Sequence, residues 1–298
     1  MTLQSASPAP ANAESIENPA DVARIIARAR MLVAVQHAAL QHVADDLGVR
    51  ILHIKGLVAR QELGTERGQP SDVDILVDPL GMSRLCDRLG DLGWAPADLE
   101  WATNNHATVL AHPMWGATAD IHIAIPGMGR TPQQAFELLY RNSHRASIAH
   151  RPCAVPDTTD HALLLILHDL RTPQRGVASA LAIWNGLDRS RQGELHARAR
   201  ALGCPGYVEA LSGQRGPWRL RVWQAAMRPG AQGAIWRWVG EADGQRSLRG
   251  KTAYVVQLLR RLPPEASTWS HADIWRYRAH KAGRALRYVV AALRPERR

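Results

Sequence analysis

Ser71-Asp72-Val73-Asp74-Ile75-Leu76-Val77-Asp78 alternates as a strand does, with Val73, Ile75 and Val77 on one face and Asp72 and Asp74 together on the other. Two ionised carboxylates side by side repel, so the pair needs a cation between its members or water around them. Mg²⁺ suits such a pair, because it takes one or two carboxylates and completes its shell with water and substrate phosphates. The stretch Thr118-Ala119-Asp120-Ile121-His122-Ile123-Ala124-Ile125 alternates in the same way, with Asp120 and His122 on its polar face. Were the two strands neighbours in one sheet, three acids would meet at a patch able to hold two divalent ions about 3.5 to 4 Å apart, the arrangement used for in-line displacement at phosphorus. The plainer alternative is a pair of half-solvated strands with Asp on the wet side, although Asp is depleted from strand interiors.

Upstream, Arg50-Ile51-Leu52-His53-Ile54-Lys55-Gly56-Leu57 reads as a short apolar strand that runs through Lys-Gly into a helical stretch ending near Leu63. Backbone N–H groups at such a turn face outward, and Gly56 lets a phosphate come close to them. Lys55 is one of only three lysines, with Lys251 and Lys281, in a chain that otherwise uses arginine for positive charge. A compact ammonium at this turn, where arginine is the habitual choice, marks Lys55 as a phosphate-neutralising candidate. Among the histidines, His122 is placed to contact phosphate or to orient Asp120, and His106 to line a pocket, while His53 and His168 suit structural roles. A zinc reading of His106, His112 and His122 lacks cysteine ligands nearby.

The run Ile54-Lys55-Gly56, then Arg67, Ser71-Asp72-Val73-Asp74-Ile75-Leu76-Val77, Gly93-Trp94, His106 and Asp120-Ile121-His122 resembles the uncharacterised nucleotidyltransferase family of the DNA polymerase beta-like superfamily. The resemblance extends through Pro156-Asp157-Thr158-Thr159-Asp160-His161 and His168, and covers roughly residues 20 to 260. It implies an α+β (α/β) fold: a small mixed sheet, an N-terminal bracing helix and a C-terminal all-helical domain. It also implies Asp72, Asp74 and Asp120 as catalytic metal ligands for two Mg²⁺ ions, with Lys55, Gly56, Arg67, Ser71 and His122 on the nucleotide. The implied reaction moves a nucleotidyl group from an NTP such as ATP to a hydroxyl acceptor and releases pyrophosphate. Where the wider superfamily has Gly-Ser or Gly-Gly at its phosphate-binding turn, this chain has Gly56-Leu57, and Lys-Gly is the form expected within the subfamily.

With 298 residues, the chain has room for two domains. Residues 1–18 read as a flexible lead without signal-peptide pattern, 19–155 as the nucleotidyltransferase-like part, and 156–298 as a basic, Trp-rich helical part. No apolar run is long enough to cross a bilayer. Cys86, Cys153 and Cys204 lack pair spacing, which argues against a disulfide frame and for a reducing cytoplasm. Acids and bases nearly balance up to about residue 212, and the remainder carries all of the net +10: about eighteen Lys/Arg face about five Asp/Glu there, and Trp218, Trp223, Trp236, Trp238, Trp269 and Trp275 are interleaved. Such a segment either coats a helical core with solvated arginines, the favoured reading, or binds nucleic acid. Two functional alternatives therefore stand beside nucleotidyl transfer: transfer of another phosphate-activated group, such as a sugar from a nucleotide sugar, and a non-catalytic protein that binds nucleic acid or an acidic partner. The acceptor stays open among natural-product peptides, antibiotic-like small molecules, glycans and protein side chains.

Periodicity places an amphipathic helix over Asp21 to Leu47, its stripe running from Val22 through Ile25, Leu32, Val33 and Val35 to Leu40. Asp78-Pro79 reads as the start of a helix containing Leu85 and Leu89. Two strands, His106 to His112 and Thr118 to Ile125, form a hairpin through Pro113-Met114-Trp115-Gly116. A helix at Pro132 to Tyr140 and a strand over Ala146 to Val155 close the first half. Helices follow at Asp157 to Leu170, Gly176 to Leu187, Gln192 to Leu202, Pro205 to Leu211, Trp218 to Met227, Lys251 to Leu262 and His271 to Leu293. The last is basic and amphipathic; it packs on its own domain or lies on an anionic membrane.

Overall fold

A computed structural model describes residues 18–63, 72–97, 106–172, 176–214, 220, 223–224 and 270–293. The expected helices over 218–227 and 251–262, with Arg67, Ser71, Trp218, Trp236, Trp238 and Trp269, lie outside the described residues.

A mixed five-stranded sheet forms the centre, built from β1 (Ile51–Ile54), β2 (Asp72–Val77), β3 (Ala95–Pro96), β4 (Ala107–Ala111) and β5 (Thr118–His122) in the order β1-β2-β5-β4-β3. β2 and β5 run parallel, and the other neighbouring pairs are antiparallel. Because side chains alternate between faces, the sheet has two distinct sides. On one side Ile51, Val73, Ile75, Val77, Ala119 and Ile121 pack with residues of α1 (Pro19–Asp46) and α3 (Met82–Asp91). On the other, Leu52, Ile54 and Leu76 share a core with α4 (Pro132–Arg141) and α5 (Thr158–Leu170). That second core continues into α6 (Gly176–Gly186), α7 (Arg189–Ala201) and α8 (Pro205–Leu211). The remaining described helices are α2 (Gly56–Leu63), which follows β1 directly, and α9 (His271–Leu293).

Several ends are fixed by side chains that satisfy otherwise unpaired helix N–H groups. Asn18 caps α1 through Ala20 N–H, Asp157 caps α5 through Asp160 N–H, and Thr131 forms a reciprocal capping box with Gln134 on α4. The apolar stripe of α1 is buried only from Val33 onward, and Val22, Ile25 and Val35 are exposed. The first half of the helix is mostly exposed. Its buried face instead carries a polar relay. Gln41 Nε2 donates to Asp45 Oδ1 at 2.7 Å, leaving Gln41 Oε1 to accept from His53 Nε2 at 3.1 Å. His53 Nδ1 must then accept from His37 Nδ1–H, 2.8 Å away. Both histidines are buried and neutral: burial drives His37 down to about 4, partly offset by Asp74, and drives His53 well below its usual value.

Two local expectations change. Asp78 does not cap α3, which begins at Met82 after Gly81. Its carboxylate is taken by Arg50, 2.6 Å away across the strand end, and by Leu80 N–H at 3.1 Å. The span 146–155 is a hairpin, β6 (His144–Ile148) and β7 (Arg151–Val155), rather than one strand. Its turn residues Ala149 and His150 have φ of 46° and 64°, a primed turn made without the usual Asn-Gly. In the basic segment, Trp223 stacks on Tyr207 with ring centroids 5.0 Å apart and so joins the helical core. Among the described residues no helix is long and apolar enough to cross a membrane.

Candidate active site

Register brings the two acid-bearing strands together. Asp74 on β2 stands directly beside Asp120 on β5, and Asp72 beside Thr118. Asp72, Asp74, Asp120 and His122 therefore all lie on the face turned toward α5, opposite to Val73, Ile75 and Ile121. One ligand atom from each of Asp74, Asp120 and His122 lies within 4.8 Å of the others.

Lys55 reaches this cluster by breaking the alternation of β1. Continued strand geometry would send residue 55 to the α1 face, where His53 points. Instead Lys55 has φ 57° and Gly56 φ 40°, a left-handed pair that turns the chain into α2 and carries the ammonium to the acid face. There Lys55 Nζ donates to Asp74 Oδ1 at 2.5 Å. His122 Nε2 lies 2.8 Å from the same oxygen and 3.1 Å from Nζ. The Lys55 N–H expected to face a phosphate is already engaged, donating to His161 Nε2 of α5 at 3.0 Å.

The electrostatics separate the two central acids. Burial opposes ionisation of Asp74, but the Lys55 ammonium and then His122 outweigh it and hold the carboxylate well below its ordinary range. Asp120 goes the other way, pushed up to about 7 by burial and then by the charges of Asp74 and Asp72. His122 is lowered to about 4 by burial and by Lys55. His106 stacks on His122 with centroids 5.9 Å apart and is lowered to about 2 by burial and by Arg171. Paired carboxylates displaced in opposite directions make this cluster a candidate functional site.

Sequence reasoning reached Lys55, Gly56, Asp72, Asp74, Asp120 and His122, and the fold gathers them. It expected His122 to serve Asp120 or phosphate, and the ring contacts Asp74. Missed were His161 and Arg171, both contributed by α5, whose all-round apolar sequence hides which side faces the sheet. A cation ending so apolar a helix was the one signal available for Arg171.

The donor set fits a divalent cation. Carboxylate oxygens from two strands converge at one point, and a cation there would offset both the burial that raises the proton affinity of Asp120 and the smaller repulsion from Asp74 and Asp72.

The chain matches the family model described as uncharacterised nucleotidyltransferase over residues 12–205, more than half its length. It belongs to that family and is an enzyme of the nucleotidyltransferase class. Similar solved structures include a lincosamide antibiotic adenylyltransferase, LnuA, with lincomycin bound: 16% identity, 42% of this chain and 80% of that chain covered, TM-score 0.31. Another is the antibiotic-resistance factor ANT(2'')-Ia in solution: 14% identity, 57% of this chain and 91% of that one covered, TM-score 0.38. No curated protein matches the chain at a significant level.

Proposed function

We propose that the enzyme transfers a nucleotidyl group from an NTP to a hydroxyl acceptor, using Mg²⁺ held by Asp72, Asp74 and Asp120. The observation that carries this reading is the side-by-side register of Asp74 and Asp120, with the ammonium of Lys55 against them. Bound at these carboxylates, divalent cations would neutralise phosphate charge and align the attacking and leaving oxygens. The side chains do the rest. Asp120 takes the proton of the acceptor hydroxyl as the new oxygen–phosphorus bond forms. The bond from the α-phosphorus to the bridging oxygen breaks, and its electron pair leaves with pyrophosphate. Lys55 neutralises phosphate, and His122 fixes the orientation of Asp74. Positioning and charge stabilisation suffice, so no covalent nucleophile is required.

In this reading the part over 19–155 holds the donor and metal, and the helical part over 156–298 contributes the acceptor pocket. The unpaired Cys86, Cys153 and Cys204 suit a reducing compartment such as the cytoplasm.

The test is calorimetry with each NTP in Mg²⁺, followed by mass measurement of acceptors incubated with the NTP that binds. D72N and D120N should abolish turnover without lowering the urea midpoint. D74N is a poorer probe, because it leaves the buried Lys55 ammonium without its counter-ion. Wild-type turnover by D72N would remove the metal mechanism.

A further inference from the structure

The sheet is not the sole source of charge at this site. Arg171 is the residue that ends α5, and its guanidinium reaches His106. Its Nη1 lies 3.4 Å from His106 Nε2, His106 stacks on His122, and His122 contacts Asp74. Both Asp74 and Asp120 act electrostatically on Arg171.

Despite that proximity, Arg171 forms no ion pair with either acid among the described residues. The single hydrogen-bonding contact of its guanidinium there is the long one to His106. Lys55 already serves Asp74, so the two cations are not equivalent. One is spent on the protein, and the other keeps most of its five N–H donors unengaged among the described residues. Because a guanidinium can only donate, His106 Nε2 accepts from it and can steer one arm of the fork. A partly buried guanidinium linked to the acid cluster through His106 and His122, and paired with no carboxylate among the described residues, is arranged for an anion brought in from outside. The anion that a planar fork matches best is one with several phosphate oxygens, which it grips through paired hydrogen bonds.

We propose that Arg171 binds the non-transferred phosphates of the donor, the part that leaves as pyrophosphate, and that His106 is a positioning residue for it. This rests on the nucleotidyl-transfer reading above. It adds that the helical half takes part in donor binding.

The experiment compares the affinity of wild type, R171M and R171K for three probes in Mg²⁺: ATP (or the NTP that wild type prefers), inorganic pyrophosphate, and the matching nucleoside monophosphate. R171M should weaken NTP and pyrophosphate by about tenfold or more, the loss expected for charge-assisted hydrogen bonds, and leave the monophosphate within about twofold. R171K, which keeps the charge and loses the fork, should fall between, and it serves as the deciding variant if R171M does not fold. H106L should repeat the R171M pattern in weaker form and add little in the R171M background. Unchanged pyrophosphate affinity in R171M and R171K would overturn the assignment, as would an equal loss for all three probes. If wild type binds neither NTP nor pyrophosphate, the donor reading itself fails, and Arg171 falls with it.

Discussion

His161 Nε2 accepts the backbone N–H of Lys55 at 3.0 Å, tying α5 to the turn that delivers the ammonium of the site. As the acceptor, Nε2 carries no proton, so the ring is neutral with its proton on Nδ1. The contact holds Lys55 in left-handed backbone, which costs a non-glycine residue about 1 kcal/mol or more and persists where surrounding structure compels it. H161L should therefore weaken Mg²⁺-NTP binding by about tenfold, and H161Q, whose carbonyl can accept the same N–H, should recover most of it. In a K55M background the H161L effect should shrink below about twofold, because partners acting through one contact are not additive. Equal losses in both backgrounds would show that His161 does not act through Lys55.

Metal linkage gives an independent readout. Mg²⁺ binding to the folded chain alone raises stability by mass action. The urea midpoint of wild type should rise with Mg²⁺ and return on chelation, whereas D120N should respond weakly or not at all. A response in D120N as large as in wild type would place the ion elsewhere.

The buried His37–His53 pair predicts a pH dependence of stability. Burial lowers both in the fold, His37 to about 4, while the unfolded chain has an ordinary histidine value near 6.5. Between those values the unfolded chain binds more protons, so stability rises with pH. The contribution is fully present above about 6.5 and is lost as pH falls toward 4, with a slope of up to about 1.4 kcal/mol per pH unit for each histidine. Urea titrations from pH 4 to 8 should show a shallower slope for H37Q than for wild type. Parallel curves would mean that His37 does not contribute.

Gly129 and Gly203 lock the loop before α4 to the turn before α8. A Cβ on Gly129 would stand 2.6 Å from the Gly203 carbonyl oxygen, and Gly129 N–H donates to Leu202 O at 3.1 Å. Backbone against backbone leaves no flexible group to move aside. G129A should destabilise the protein by about 1 to 3 kcal/mol, measurable as a lower urea midpoint. G90A, on open α3 surface, should not lower it.

What could be read from the sequence was local. A period of two needs no partner to be visible, so β2 and β5 and the shared face of Asp72 and Asp74 were legible from residue types alone. The pairing of Asp74 with Asp120 was not, because β2 and β5 meet only after a long excursion and local alternation carries no register. Lys55 stood out by its rarity, yet nothing in Ile54-Lys55-Gly56 announced that the lysine itself, and not only the glycine, would adopt positive φ. The Ala149-His150 turn was missed because its chemistry is atypical, and Asp78 was misassigned because a distant Arg50 competed for its carboxylate. α5 is buried on every side, so periodicity could identify the helix but not its orientation.

Leu52, Ile54 and Leu76 of the sheet occupy one continuous core with Leu163, Ile166 and Leu167 of α5. Cutting the chain after Val155 would strip that face of its cover as well as removing His161 and Arg171. Neither piece should behave as a self-sufficient module. Co-expressed, they should reassemble and recover activity together, making this junction suitable for a split-protein reporter whose signal depends on both fragments being present.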